Sequence, residues 1–570
     1  MTSGSRHANR LVTRVLAGPT FGGAFGALVF WWRSLAPTLL PRGWLAQALV
    51  SAMCVGVGYL IGTLVGWVVG RVLASFGREP GPRVRRPAWI ALGVMWAVVV
   101  VVGSVAWLVW QNDQRDLVQL DHLSAVVIVP MLVVTGVLFA VLALVARLMW
   151  FVVGLADRWA ARHMPRPVAH AVVAAVVVVV GVVLAQDVVL DGFTSWANHR
   201  FKAFDTTTQE GIAQPTSAAV SGSPDSLVPW DTLGTYGRTF VASATSEEVL
   251  RSFAGDGADL AEPVRAYVGL RSADSLQERA DLAVRELDRA GGFDRDVLVV
   301  VTTTGTGWVD PDSARTVEIL HAGDVAQVGL QYSYLPSWIS FLVDRDEATA
   351  AGTVLYQAVH DRWSQLPEAS RPELIVFGES LGSYGAEKPF VGPDAAGSLA
   401  DMVAGTDGAL FTGPTEANSV WDQLTDARQA GTPVWRPVYG GGTSVQFANR
   451  PADLLQPDEG WRRPRVLYVH HPSDPVGSFD FETIWRWPEW MDEPRGYDVP
   501  SRGGWFPVVT FVQEVADLVA GFSAPSGYGH NYTVDFASAW AAVVPPPGWS
   551  ADDTQRLQAY VDDLPRPPGS

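Results

Sequence analysis

Ser380 stands between two glycines in Gly378-Glu379-Ser380-Leu381-Gly382, after the apolar run Pro372 to Phe377 and before a helix-compatible stretch. Gly-x-Ser-x-Gly suits a tight strand-to-helix turn that lifts one hydroxyl above a sheet. A serine hydroxyl is a weak nucleophile alone. It needs a general base, and the base needs a carboxylate to fix its tautomer. Val466 to His470 reads as a strand, and the loop His471-Pro-Ser-Asp474-Pro-Val follows it, which makes Asp474 the candidate acid. His530, in Gly527-Tyr-Gly-His530-Asn-Tyr532, is the one histidine beyond Asp474 and so the candidate base. Asp480 and Glu482 are alternative acids, whereas His470 and His471 are expected to pack or hydrogen-bond near the acid loop.

A tetrahedral oxyanion needs two donors. The backbone N–H of Leu381 is one candidate. The other is an amide among Thr304, Gly305 and Thr306, in the loop Thr303-Thr-Gly-Thr-Gly-Trp308. That loop lacks the third spaced glycine and the lysine of a nucleotide cradle, so a phosphate site is a poor fit. This chemistry calls for no cofactor and no metal. Gly440 to Gly442 read as a turn, and the tryptophan-rich stretches at 435–461, 485–490 and 505 could wall an apolar cleft.

Such a site must be held by a sheet. Short apolar strands are expected at 266–270, 296–302, 325–334, 374–377, 409–412 and 466–470, with helices at 275–290, 312–321 and 346–365 between them. Continuous apolar strands alternating with helices imply a mostly parallel sheet covered on both faces. Functional groups in such sheets gather at the strands' C-terminal ends. The segment 506–522, before His530, reads as half strand and half helix.

The 570 residues divide sharply by composition. Residues 1–190 carry 15 Arg/Lys against 6 Asp/Glu, and residues 191–570 carry 26 against 52. The acidic part argues against nucleic acid, whose phosphates require a basic face. Four apolar runs, 44–68, 88–110, 124–147 and 168–189, are long enough to cross a bilayer, and a shorter glycine-rich stretch at 15–32 adds a first span in the five-span reading. The domains expected are therefore an all-α transmembrane region of four to five helices (1–190), a juxtamembrane connector (191–262) and a catalytic domain (263–570). Arg6, Arg10 and Arg14, then Arg71, Arg78, Arg83, Arg85 and Arg86, then Arg147, Arg158, Arg162 and Arg166 alternate with the acidic loop at Asp113, Asp116 and Asp121. The positive-inside rule then puts the N-terminus in the cytoplasm and everything after about residue 190 outside. No span carries the buried ionisable pair that marks a transport path. Cys54, the only cysteine, lies in an apolar run and suits neither a disulfide nor a thiolate nucleophile.

Several segments together resemble the multi-pass membrane α/β-hydrolase family found mainly in actinobacteria. They are Ser34-Leu-Ala-Pro-Thr-Leu-Leu-Pro41, Thr304-Gly-Thr-Gly-Trp308, Gln331-Tyr-Ser-Tyr-Leu-Pro-Ser-Trp338, Gly378-Glu-Ser-Leu-Gly-Ser383 and Gly529-His530-Asn-Tyr532. The resemblance implies an N-terminal membrane region and a C-terminal α/β-hydrolase domain. The family often has a further histidine beside its last one, and Tyr528 stands in that place here, which favours His530 as the base.

The expected function is that of a membrane-anchored serine hydrolase, esterase- or lipase-like. Its partners would be the lipid bilayer and a hydrophobic acyl-ester substrate from lipid or cell envelope. The same triad would serve an envelope acyltransferase, and a non-catalytic scaffold retaining the fold is the contrasting class.

Overall fold

The computed structural model describes residues 19–77, 81–183, 191–343, 345–455, 460–492 and 494–566. Arg6, Arg10, Arg14, Arg78 and the end of the apolar run 168–189 lie outside these residues. The chain forms two compact units, one of Met1–Phe193, Phe479–Met491 and Val499–Ala520, the other of Thr194–Ser478, Asp492–Asp498 and Gly521–Ser570.

In the first unit, three helices among the described residues are long and apolar enough to cross a membrane: Trp44–Ser75, Pro82–Leu117 and Ala125–Ala160. The protein is accordingly membrane-associated. Three of the expected four to five spans are thus found among the described residues, and the run 168–189 is described only in part. The glycine-rich first stretch is a helix of only 14 residues, Phe21–Ser34, short of the roughly 20 that a bilayer requires. Arg166–Val183 has 18 residues and runs into undescribed chain. The glycines of the first helix serve close packing instead: a Cβ on Gly26 would come within 2.2 Å of the Gly58 carbonyl, and one on Gly62 within 2.2 Å of the Gly22 carbonyl. Small residues let two helix backbones approach in this way.

Glutamines, which carry no charge, tie the turn after that helix to the long helices. Gln47 donates to the Ser34 carbonyl at 2.9 Å and accepts from the Trp107 indole at 3.0 Å. Gln114 donates to the Thr38 carbonyl at 2.6 Å, and the Arg42 amide donates to Gln111 at 2.5 Å. Two later segments belong to this unit as well. The stretch 506–522 is helical over Val509–Gly521. Gln513 on it donates to the Ala36 carbonyl at 2.8 Å, and Asp517 accepts from the Leu39 amide at 3.1 Å.

Among the described residues the second unit is built on seven strands: β1 (Val264–Val268), β2 (Val297–Thr302), β3 (Val325–Leu330), β4 (Glu373–Glu379), β5 (Gly408–Thr412), β6 (Val445–Ala448) and β7 (Arg465–Val469). Their order is β1-β3-β2-β4-β5-β7-β6, and every pair is parallel. Val297 to Thr302 is buried at all six positions, as expected for a strand covered on both faces. Leu276–Ala290 begins with a full capping box, Ser275 with Glu278. The strand β6 was not expected from sequence. It has four residues at the sheet edge, two of them half-buried, so its apolar signal is faint.

Residues 194–262, expected as a juxtamembrane connector with some structure of its own, are part of this unit: Val220, Val228, Leu233 and Phe240 join the sheet's own core. Arg265 on β1 helps fasten them. Its guanidinium forms a two-pronged pair with Glu318 (2.6 and 2.8 Å), both side chains fully buried, and donates to the Phe240 carbonyl at 2.6 Å. Removing one partner of a buried pair strands the other charge. Glu318→Ala is therefore expected to lower stability by about 3–5 kcal/mol, with Glu318→Gln losing less; equal unfolding midpoints for Glu318→Ala and wild type in denaturant titration would refute the assignment.

Candidate active site

The central strand β4 ends at Glu379, and the next residue, Ser380, has φ +55° and ψ −128°. Side chains rarely tolerate positive φ, and holding one there costs about 1–3 kcal/mol. The turn is fixed on several sides. Ser380 N–H donates to the Thr412 carbonyl of neighbouring β5 at 2.9 Å. The Ser380 carbonyl accepts from the Ser383 amide at 2.9 Å and from Ser383 Oγ at 2.7 Å. Both flanking glycines are required by space: a Cβ on Gly378 would lie 2.4 Å from the Gly382 carbonyl, and one on Gly382 would lie 2.3 Å from the Thr302 carbonyl of β2. The helix Leu381–Glu387 starts at once, so the Leu381 amide heads it with no intrahelical acceptor.

His530 is carried by a turn, Ser526 to Asn531, that follows the helix Val509–Gly521, and among the described residues no strand lies directly before it. Its Nδ1 lies 2.7 Å from Asp474 Oδ2, in the loop after β7. The same oxygen accepts from Tyr532 OH at 2.7 Å, and Asp474 Oδ1 accepts from the Val476 amide at 2.8 Å. Burial alone would raise the Asp474 pKa. The neighbouring His530, followed by His470 and the Tyr532 hydroxyl, outweighs burial and holds the carboxyl below its ordinary value. An ionised Asp474 keeps the proton of His530 on Nδ1, leaving the Nε2 lone pair available. Nε2 is buried and makes no hydrogen bond among the described residues. Ser380 and His530 line one cavity of about 490 Å³.

The other candidates are distributed as follows. His471 bridges the Gly529 carbonyl and Asp535 (both 2.9 Å) and stacks on Tyr532 with ring centroids 4.3 Å apart. His470 packs against Trp421, and burial pushes its pKa down to about 4. Asp480 and Glu482 fold in the first unit, where Asp480 caps a short helical turn and Glu482 pairs with Arg486 at 2.8 Å. In the loop after β2, the Thr304 amide already donates to the Trp308 carbonyl at 3.0 Å, and the Gly305 amide makes a 3.4 Å contact with Ser337 Oγ. These bonds take Thr304 out of the set of open donors and engage Gly305 weakly. Among the described residues the Thr306 amide has no such acceptor, and Thr306 lines the cavity. None of the tryptophans at 435–461, 485–490 and 505 lines this cavity. Trp308 lines the cavity, but Trp461 is core, Trp485 and Trp487 are exposed, and Trp490 and Trp505 cluster in the first unit.

Three residues at the site went unnoticed in the sequence. Tyr532 lies inside the segment quoted above, where its spacing from His530 was the available signal. Glu379 and Asp310 also line the cavity, and both are nearly buried. Asp310 caps the helix Pro311–Leu320 through the amides of Asp312 (2.7 Å) and Ser313 (2.9 Å). Burial, reinforced by Asp312, pushes its pKa up to about 7. Burial likewise drives Glu379 well above the carboxylate range, with Asp310, Asp312 and Asp474 adding repulsion.

A parallel doubly wound sheet, with a serine on a strained strand-to-helix turn and an Asp–His pair at the neighbouring strand ends, defines the hydrolase type of α/β protein. The profile described as alpha/beta-hydrolase family matches residues 264–557, more than half of the chain, and that described as the N-terminus of an alpha/beta-hydrolase family matches residues 35–244. The chain belongs to this α/β-hydrolase family, which indicates a hydrolase-like function. No curated protein and no solved structure matches it.

An acid whose pKa is raised in the fold binds more protons folded than unfolded, so its contribution to stability is full below the unfolded pKa, near 4, and falls as pH rises through the folded one. For Asp310 that window runs from about 4 to about 7. Asp310→Asn keeps a good N-cap but removes the proton. Its unfolding temperature is expected to decline less than wild type between pH 5 and pH 7.5, and parallel declines would show that Asp310 is not protonated in the fold.

Proposed function

We propose that the chain is a membrane-anchored serine hydrolase that cleaves carboxylic esters of lipid or cell-envelope origin through an acyl-enzyme. The observation that carries this reading is the Asp474–His530 pair, whose unbonded Nε2 belongs to a residue sharing the cavity with Ser380. Ser380 Oγ attacks the ester carbonyl carbon while His530 Nε2 takes its proton, and Asp474 steadies the imidazolium. The amides of Leu381 and Thr306 receive the oxyanion. Collapse breaks the carbon–oxygen bond to the alcohol, which leaves with the proton from His530. Water then repeats the sequence on the acyl-enzyme and releases the acid. A fluorophosphonate probe should label the wild type in membranes, fail on Ser380→Ala, and react about 10³- to 10⁴-fold more slowly with His530→Ala. Label persisting in Ser380→Ala would remove the nucleophile, and none in wild type would favour a scaffold.

The N-terminus is cytoplasmic and the hydrolase unit extracytoplasmic in this reading. Support comes from the charge alternation and from one internal feature of the first unit. Arg502, on a segment supplied by the later chain, pairs with Asp113 at 3.1 Å. Asp113 belongs to the acidic end of the helix Pro82–Leu117, which the positive-inside rule puts outside. Protease added to intact spheroplasts should digest the C-terminal domain; complete protection would overturn the orientation.

A further inference from the structure

Beside Ser380, the cavity wall holds carboxyl groups that neither the nucleophile nor its base uses. Glu379 is 8% exposed, and its Oε2 is buried without a hydrogen-bond partner. Asp310 is 7% exposed and has one oxygen, Oδ1, committed to the helix cap. Among the described residues, neither forms an ion pair, whereas Asp312 is matched by Arg315 at 2.6 Å. Arg566, which also lines the cavity, acts with Arg315 on Asp312, whereas burial dominates at Glu379 and Asp310.

We propose that Glu379 and Asp310 form a hydrogen-bonding site for a hydroxyl of the substrate's alcohol portion, so that the ester presented to Ser380 is one of a polyhydroxy alcohol of the glycerol or sugar class. The inference rests on Ser380 being the nucleophile. An unpaired carboxylate withdrawn from water takes up a proton instead of staying charged. Burial raises Asp310 to about 7 and pushes Glu379 well above its ordinary value, so both shift toward the protonated form. A neutral carboxyl donates through one oxygen and accepts through the other, as an alcohol hydroxyl donates and accepts through its single oxygen. A hydrocarbon in this place would leave Oε2 buried and unbonded. An organic cation would require these groups to ionise, and among the described residues no three acidic, histidine or cysteine side chains are grouped to hold a metal. The aromatic part of the same cavity, with Phe204 and Phe522 40% and 50% exposed, suits the acyl chain. One cavity thus offers an apolar wall and a hydroxyl-binding wall, which fits an amphiphilic ester.

The test compares the glycerol and glucose monoesters of decanoic acid with methyl decanoate, using the full chain in detergent. Wild type is expected to favour the polyol esters in kcat/KM by at least about tenfold, because a site built for a hydroxyl discriminates against its absence. Glu379→Leu should reduce that ratio by about tenfold. Glu379→Gln, whose amide both donates and accepts, should keep the ratio within about threefold. A wild-type ratio near one overturns the proposal. A ratio unchanged in Glu379→Leu, whatever the absolute loss, assigns Glu379 to the turn's structure and also overturns it. Equal loss of the ratio in Glu379→Gln and Glu379→Leu means a charge is read instead of a hydroxyl, which again overturns it. Fluorophosphonate labelling in parallel separates the layers: label on Ser380 with any of these results removes the hydroxyl site alone, whereas no label in wild type removes the hydrolase reading with it.

Discussion

The left-handed backbone at Ser380 is the constraint from which the arrangement of the hydrolase unit follows. A serine held at φ +55° must be compensated by its surroundings, and here the compensation comes from both neighbouring strands. On one side β5 offers the Thr412 carbonyl to the Ser380 amide. On the other, the Thr302 carbonyl of β2 sits where any side chain on Gly382 would go. The turn thus requires β2, β4 and β5 adjacent and ending together, which the registers Thr302–Gly378 and Glu379–Thr412 provide. The loops after β2 and β4 then present the Thr306 and Leu381 amides, and β7, beside β5, carries Asp474.

Around that turn the fold sets two kinds of carboxyl in opposite electrostatic states. Asp474 is fully buried yet held low, because His530 and Tyr532 satisfy its negative charge. Glu379 and Asp310 are buried without such partners and are driven the other way. Environments that push carboxyls apart in this manner let one site contain both a fixed anion and a neutral hydrogen-bonding group. The second carboxylate–histidine pair, Asp535 with His471, has a different task. His471 binds the Gly529 carbonyl, and Ser473 Oγ accepts from the Gly529 amide at 3.0 Å, so the residue before His530 is held from two directions.

Most of the sheet was legible because its strands are continuous apolar runs flanked by amphipathic helices. Val297 to Thr302 and Leu276–Ala290 fall within a residue or two of their expected bounds. The contact of Asp474 with His530 was legible from chain order and the absence of any other downstream histidine. What escaped was set by tertiary contact. Edge strand β6 is only four residues long, two of them half-buried. Thr304 looked like an open donor until its amide met the Trp308 carbonyl within the same loop. Glu379 fills a variable position of its motif, and Asp310, 69 residues earlier in the chain, reads as an ordinary helix cap. The first apolar stretch was counted as a span because hydropathy scores a 14-residue glycine-rich helix without registering that its glycines serve helix packing.

The long excursion between acid and base explains why His530 needs so many tethers. After Ser478 the chain leaves the hydrolase unit, returns briefly at Asp492–Asp498, and rejoins it for good at Gly521. Asp474 and His530 are 56 residues apart, with no strand directly before the base to position it. Closing a loop of that length is not in itself prohibitive, since each doubling adds only about 0.6 kcal/mol. Precision is the greater difficulty, because a base on an irregular turn inherits no register from a sheet. Local bonds inside the hydrolase unit supply it: the His530 amide donates to the Gly521 carbonyl at 3.1 Å, at the point of re-entry, and Tyr532 grips the Asp474 oxygen that His530 also uses. The excursion can therefore belong to the membrane-associated unit while the geometry of the Asp–His pair is set by contacts that never leave its own.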